Sequence, residues 1–243
     1  MALLAGVAAL YLLLTWKPSS YRPPHLDQAQ KEIATQQFFA HVAEMDTPND
    51  TDDPYSWELS EQSANEYLAA MDEIAFQRPN ARNRPRLRGD VQAAMDRAGL
   101  AQPVARFNDG RMTIMVRSTE YAAIVSADLS FTFVNEDKVL VNLDGARVGL
   151  LPVPRFAVRD GLKRFKAVLQ SRLERMQSPA TDDSSGGIPL VNLAEVFATI
   201  IAAIDSEPLP TRIKILHCQV QEITIQDGLL RLMVRPLRED DYD

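Results

Sequence analysis

The chain has 243 residues, 46% of them hydrophobic, which is enough for one large core or two small ones. Its 26 basic and 33 acidic side chains give a net charge of -7, which argues against a broad basic face that neutralises nucleic-acid phosphates and leaves open a local basic patch. Cys218 is the single cysteine, so an intramolecular disulfide and a thiolate metal cluster are both excluded, and its apolar setting predicts a small core residue.

Residues 2 to 16, ALLAGVAALYLLLTW, carry no charge. As a helix they would span about 22 Å at 1.5 Å per residue, against a hydrocarbon core of about 30 Å. A membrane anchor, the apolar part of a cleaved signal peptide and a buried core helix all fit such a segment. The lack of a clear small-x-small cleavage site argues against the signal peptide. Apolarity on every side, followed by the Pro-rich KPSSYRPP, argues against the core helix. A single-pass anchor over 1–22 is therefore expected, with Trp16, Lys17, Tyr21 and Arg22 suited to the membrane interface. Lys17 and Arg22 alone would bias the body toward the cytoplasm.

A helix is predicted over 27–45, with Ile33, Phe38, Phe39, Val42 and Met45 as its apolar stripe. The following DTPNDTDDPY reads as a loop. Its Asp46, Asp50, Asp52 and Asp53 lack the spacing and glycine of a calcium loop, so a solvated acidic segment is expected. In WELSEQSANEYLAAMDEIAFQ, Ser60 is the predicted N-cap, Glu61 suits the positive end of the dipole, and Leu68, Met71 and Ile74 face inward. The next stretch, RPNARNRPRLRGD, breaks the helix and gathers Arg78, Arg82, Arg84, Arg86 and Arg88. These five could contact anionic headgroups or a partner, or pair with the acidic loop across solvent. A short helix is expected over 90–99.

From 103 to 151 the period becomes two. Val125, Ala127, Leu129, Phe131 and Phe133 alternate with Ser126, Asp128, Ser130 and Thr132, which predicts an antiparallel strand with one buried and one wet face. A helix follows over about 157–177, then the flexible SPATDDSSGG linker at 178–187 and a very apolar helix over 190–204. Strands over 212–235 and the charged REDDYD complete the chain.

One pattern repeats. FNDGRMTIMVR at 107–117 and IQDGLLRLMVR at 225–235 share an Asp-Gly pair and the ending Met-Val-Arg. Asp-Gly between alternating runs predicts a type I′ hairpin, whose two central residues need positive φ. A weaker third copy, VNEDKVLV at 134–141, has Asp137 in place of the glycine, so a different turn is expected there. Both Asp-Gly hairpins are expected in one curved sheet whose apolar side is covered by the chain's own helices.

No nucleophile elbow, zinc-protease motif, P-loop or dinucleotide fingerprint occurs. His25, His41 and His217 are far apart, and His217 beside Cys218 in a strand would point to the opposite face. No catalytic residue, metal or cofactor is expected, so the chain reads as a non-enzyme.

In order, Leu59, Ser60, Asn65, Leu68, then Phe107, Asp109, Gly110, then Gly149, Leu151, Pro152 and Pro154 match a helix start, a hairpin and a turn. This series resembles the YpmS-type bacterial envelope proteins and, more loosely, is similar to tubular lipid-binding (TULIP-like) domains, over about 59–235. The helix at 27–45, the arginine loop and the linker depart from that pattern. The resemblance implies an extracytoplasmic body and an apolar groove, which Leu129, Phe131, Phe133, Phe197, Ile200 and Ile201 could line. The same six residues would equally form a filled core between helix and sheet.

The expectation is an α+β protein: a curved antiparallel sheet packed on amphipathic helices behind an N-terminal apolar anchor helix. The divisions are 1–22, 23–58 and 59–238. The expected role is a membrane-anchored extracytoplasmic protein that binds lipid or another apolar ligand; the alternative is an assembly subunit of a membrane complex.

Overall fold

The computed structural model describes residues 2–46, 53–76, 92, 95–96, 99–154, 208–213 and 217–237. The arginine cluster at 78–88, the segments predicted as helices over 157–177 and 190–204, and the 178–187 linker lie outside the described residues.

Helix α1 (Ala2–Thr15) comes first, and α2 (Gln28–Asp46) begins at a reciprocal cap. The Asp27 side chain accepts from the Gln30 backbone N–H at 2.8 Å, while the Gln30 side chain accepts from the Asp27 N–H at 2.9 Å, satisfying two donors at the helix start. The buried stripe of α2 differs from its predicted one: Ile33 is exposed, and Ala34 and Thr35 are buried in its place. Strand β1 (Tyr55–Ser60) leads directly into α3 (Glu61–Ala69). Ser60 caps α3 as its spacing predicts, accepting from the Ser63 N–H at 3.0 Å. After Ala70 the helical path resumes as α4 (Met71–Phe76). Gln92, Met95 and Asp96 are helical within the short segment predicted over 90–99.

The remaining elements are strands: β2 (Leu100–Asn108), β3 (Arg111–Ser118), β4 (Ile124–Asn135), β5 (Lys138–Val148), β6 (Leu151–Pro152), β7 (Leu209–Pro210), β8 (Arg212–Ile213), β9 (Cys218–Gln226) and β10 (Leu229–Pro236). The class is α+β, with every strand pair antiparallel among the described residues. The expectation of one sheet is corrected. Strands β1, β10, β9 and β8 form a four-stranded sheet in that order, whereas β2 to β6 form a second sheet that β7 extends along β5. The two Asp-Gly hairpins therefore lie in different sheets, because the turn residues specify only local pairing and carry no information about the next neighbour.

The hairpins nevertheless meet tip to tip. The Gly110 N–H donates to the Ile225 carbonyl at 3.1 Å, and the Gly228 N–H donates to the Phe107 carbonyl at 2.9 Å. Each repeat copy thus gives its glycine N–H to the residue at the matching place in the other. The turns themselves differ. Asp109 and Gly110 both have positive φ, as type I′ requires, whereas at the second turn only Gly228 does. The third turn, at Glu136 and Asp137, has no positive φ, in line with its missing glycine.

Other contacts join the sheets. The Thr211 N–H and hydroxyl donate to the carbonyls of Asp137 and Glu136, and the Gln219 amide donates to Glu136 as well. Helix α3 covers the outer edge of β2 with side chains. The Asn65 amide donates to the Ala105 carbonyl at 3.0 Å and accepts from the Ala105 N–H at 2.7 Å, and Glu61 accepts from the Phe107 N–H at 2.9 Å. A residue whose side chain imitates a strand's backbone is one way of closing a sheet edge. The core follows from these contacts. Ala64 of α3 packs with Ala105, Phe107 and Ile225, so helix and both sheets share one cluster. Met45 of α2 reaches Cys218 and Val234 of the four-stranded sheet, and Ala34 reaches Tyr67, Ala70 and Ile74. Residues 23–58 therefore share a core with those that follow.

Candidate functional site

The least satisfied surface lies where α1 meets the six-stranded sheet. Helix α1 has no polar residue before Thr15 other than the hydroxyl of Tyr11. Tyr11, Leu12 and Leu13 are successive exposed positions, so at 100° per residue they spread solvent-facing apolar surface over roughly 200° of the helix. Trp16, immediately after the helix, is 56% exposed.

The end of α1 sits on the turn between β5 and β6. The Leu150 N–H donates to the Leu13 carbonyl at 2.9 Å, and the Gly149 N–H donates to the Ile124 carbonyl at 2.8 Å. Gly149 has φ +60°, and a Cβ there would collide with the carbonyl oxygens of Leu13 and Leu14. Glycine is required twice over, for the backbone angle and for the close approach. The last turn of α1 leaves carbonyls without intrahelical donors, and the β5–β6 turn supplies one.

A strap then leads away from this end. The Tyr21 N–H donates to the Pro18 carbonyl, its hydroxyl donates to the Gln102 carbonyl at 2.8 Å, and its ring packs on Val104, Met115 and Ile124. Burial of that ring raises the Tyr21 hydroxyl pKa, which the positive charge of Arg117 partly offsets. The strap also corrects the predicted single wet face of β4. Ile124 and Ser126 are buried on the supposedly wet side, because a segment about a hundred residues away covers it.

Two more apolar side chains stand at this end: Leu150, 48% exposed beside α1, and Tyr121, 71% exposed in the turn between β3 and β4. Six of the eight large hydrophobic side chains exposed among the described residues belong to this surface, while Ile33 and Val134 lie elsewhere. The apolarity of 2–16, ending in Trp16, was legible in the sequence. Tyr121 and Leu150 were missed as surface residues, and the buried Gly149 as the seat of α1, since only the antiparallel topology brings their turns to one end of a sheet.

The predicted groove residues divide. Leu129 is buried with Val141 and Leu143, Phe131 packs against that cluster, and Phe133 is half-buried. Phe197, Ile200 and Ile201 lie outside the described residues, as do Arg78, Arg82, Arg84, Arg86 and Arg88. The histidines are dispersed. His25 is exposed, and the Nδ1 of His41 lies 2.6 Å from the Tyr67 hydroxyl. His217 is corrected from strand to turn: it has φ +46° and precedes β9. Cys218 is fully buried, as its setting predicts. Among the described residues, no group of three or more His, Cys, Asp or Glu could hold a metal ion. An open cleft of ≈ 230 Å³ lies between Pro24, Leu26, Leu68, Asp72 and Pro103. That volume is below the roughly 300–1,000 Å³ typical of small-molecule pockets.

No helix among the described residues is long and apolar enough to cross a membrane. Compared with known proteins, the chain matches no family model, no curated protein and no solved structure. The resemblance to envelope and tubular lipid-binding proteins gains no support there, and the single curved sheet on which it leaned is replaced by two.

Proposed function

We propose that this protein is a membrane-anchored binding domain that acts without catalysis, with α1 as its anchor. The observation behind this reading is the absence of any polar face in the sequence of α1 together with the exposure of Tyr11, Leu12 and Leu13. A helix that lies in a protein groove or along a membrane surface keeps one polar side for water. Helix α1 has none, so an apolar medium around it lowers its free energy most. Its 14 residues make about 21 Å, shorter than the hydrocarbon core. The shortfall of about 9 Å costs a fraction of a kcal/mol per Å, and local thinning with the flanking Trp16 and Lys17 would have to make it up.

The burial of Leu129, with half-buried Phe131 packed against the same cluster, supports docking over carriage of lipid in an internal groove. The extracytoplasmic side came with the resemblance alone.

Fractionation of cells expressing the full chain tests the anchor. The protein should remain with membranes through an alkaline carbonate wash, and deletion of residues 2–15 should release a folded body into the soluble fraction. Recovery of the intact full chain in the soluble fraction would rule the anchor out.

A further inference from the structure

The anchor does not act as a free tether. We infer that the end of the six-stranded sheet bearing the β3–β4 and β5–β6 turns rests on the lipid headgroup layer, with Tyr121, Leu150 and Trp16 in contact with it. The inference rests on the anchoring role of α1 and adds where the body meets the bilayer.

The backbone bond from Leu150 to Leu13 and the fit of Gly149 beneath the carbonyls of Leu13 and Leu14 fix the exit of α1 against the β5–β6 turn. The Tyr21 strap holds the following residues to the outer face of the same end. If α1 enters the bilayer, Leu150 cannot be far from its surface, and Tyr121 stands at the same end of the sheet. The chemistry of this rim agrees. Tyrosine and tryptophan favour the depth at which an apolar ring and a polar group are both satisfied, and exposed Lys17 and Arg22 can meet lipid phosphates. Exposed Glu120, beside Tyr121, limits the turn to headgroup depth, because burying its carboxylate in hydrocarbon is costly. A lipid surface explains this mixture better than a protein groove, since nothing polar on α1 is left to face water around a partner.

The opposite end supplies the control. Val134, near the far end of β4, is 56% exposed. The run of β4 from Ile124 to Val134 places it about 33 Å from the end of the sheet that bears Tyr121. Cys218 is wholly buried, so a cysteine introduced on the surface can be labelled selectively.

The experiment uses the full chain in vesicles of phosphatidylcholine and phosphatidylglycerol, with headgroup spin-labelled lipid as quencher and a small fluorophore on Tyr121→Cys, Leu150→Cys or Val134→Cys. Flotation with the vesicles, quenching at 121 and 150 and none at 134 is the expected result. Gly149→Val should keep flotation but abolish quenching at both near sites, as α1 loses its seat. Flotation without quenching at 121 and 150 overturns the docked arrangement and leaves the anchor standing, and quenching at all three sites overturns the end-on contact. Failure to float removes the anchor itself. A stable dimer cross-linked through 121 or 150 assigns the surface to a second copy and overturns the lipid contact.

Discussion

The two ends of the six-stranded sheet are completed in opposite ways. At the end bearing the β2–β3 and β4–β5 turns, backbone groups are taken up by the four-stranded sheet: glycine N–H groups exchange across the hairpin tips, and Thr211 and Gln219 hold Glu136 and Asp137. At the other end, the contacts come from α1 and its strap, and large apolar side chains face outward. The first end is polar backbone satisfied within the protein. The second is apolar surface that the described residues leave uncovered. An interior needs its hydrogen-bonding groups paired, whereas the six large hydrophobic side chains exposed at the second end are the feature on which the proposed contact rests.

The largest effect is expected where α3 locks the edge of β2. Asn65→Leu removes both bonds to Ala105, which is buried, and leaves its N–H and carbonyl without that partner. At about 1–3 kcal/mol for each orphaned group, a loss of about 2–6 kcal/mol is expected in chemical denaturation. Membrane flotation should be unaffected while the protein stays folded, because α1 is seated at the other end. A variant that lost flotation without unfolding would show that the two ends are not separable.

A smaller effect tests the hairpin tips. Gly110 and Gly228 both have φ +75° with open space where a Cβ would project, so alanine costs only the left-handed backbone strain at either place. That is about 1–2 kcal/mol each, or a melting temperature lower by roughly 2–4 °C per kcal/mol. Because each glycine N–H bonds to the other repeat copy, the double variant should fall short of the sum of the singles. Strict additivity in a thermal melt would mean that the tips do not act as a unit.

What the sequence made legible follows range in the chain. The Ser60 cap, the Asp-Gly turns and the alternating strands are decided within a few residues, and they occur where their spacing predicts. The assignment of the hairpins to two sheets depends on contacts separated by more than a hundred residues, to which a local period is blind. His217 looked like a strand residue because apolar neighbours surround it, but its left-handed backbone serves the start of β9. Gly149 stood out only as part of a Gly-x-Leu-Pro run, and its physical reason appeared once α1 was seen lying against it. Of the candidate surface, α1 and Trp16 were readable from apolarity alone. Tyr121 and Leu150 are unremarkable in sequence and become a surface by sharing one end of a sheet.

The smallest effect separates buried Tyr67 from half-buried Tyr21 by pH. Burial raises the Tyr67 hydroxyl pKa above 10.0, and the carboxylates of Glu66 and Glu44 push it the same way against a hydrogen bond from Ser63. Tyr21 is also raised by burial, but the positive charge of Arg117 acts in the opposite direction. In the unfolded chain each hydroxyl loses its proton near 10.0, while the folded form still holds it. Above that pH the unfolded state binds fewer protons, so stability falls as pH rises through the interval up to the folded pKa. Tyr67→Phe and Tyr21→Phe should each flatten part of this alkaline slope and remove a late component from an ultraviolet titration of the phenolates. Tyr21 lies on the strap that holds α1, so its component alone should respond when vesicles bind. An identical response from Tyr67, which packs from α3 against α2, would mean that binding is felt through the whole core rather than at one end.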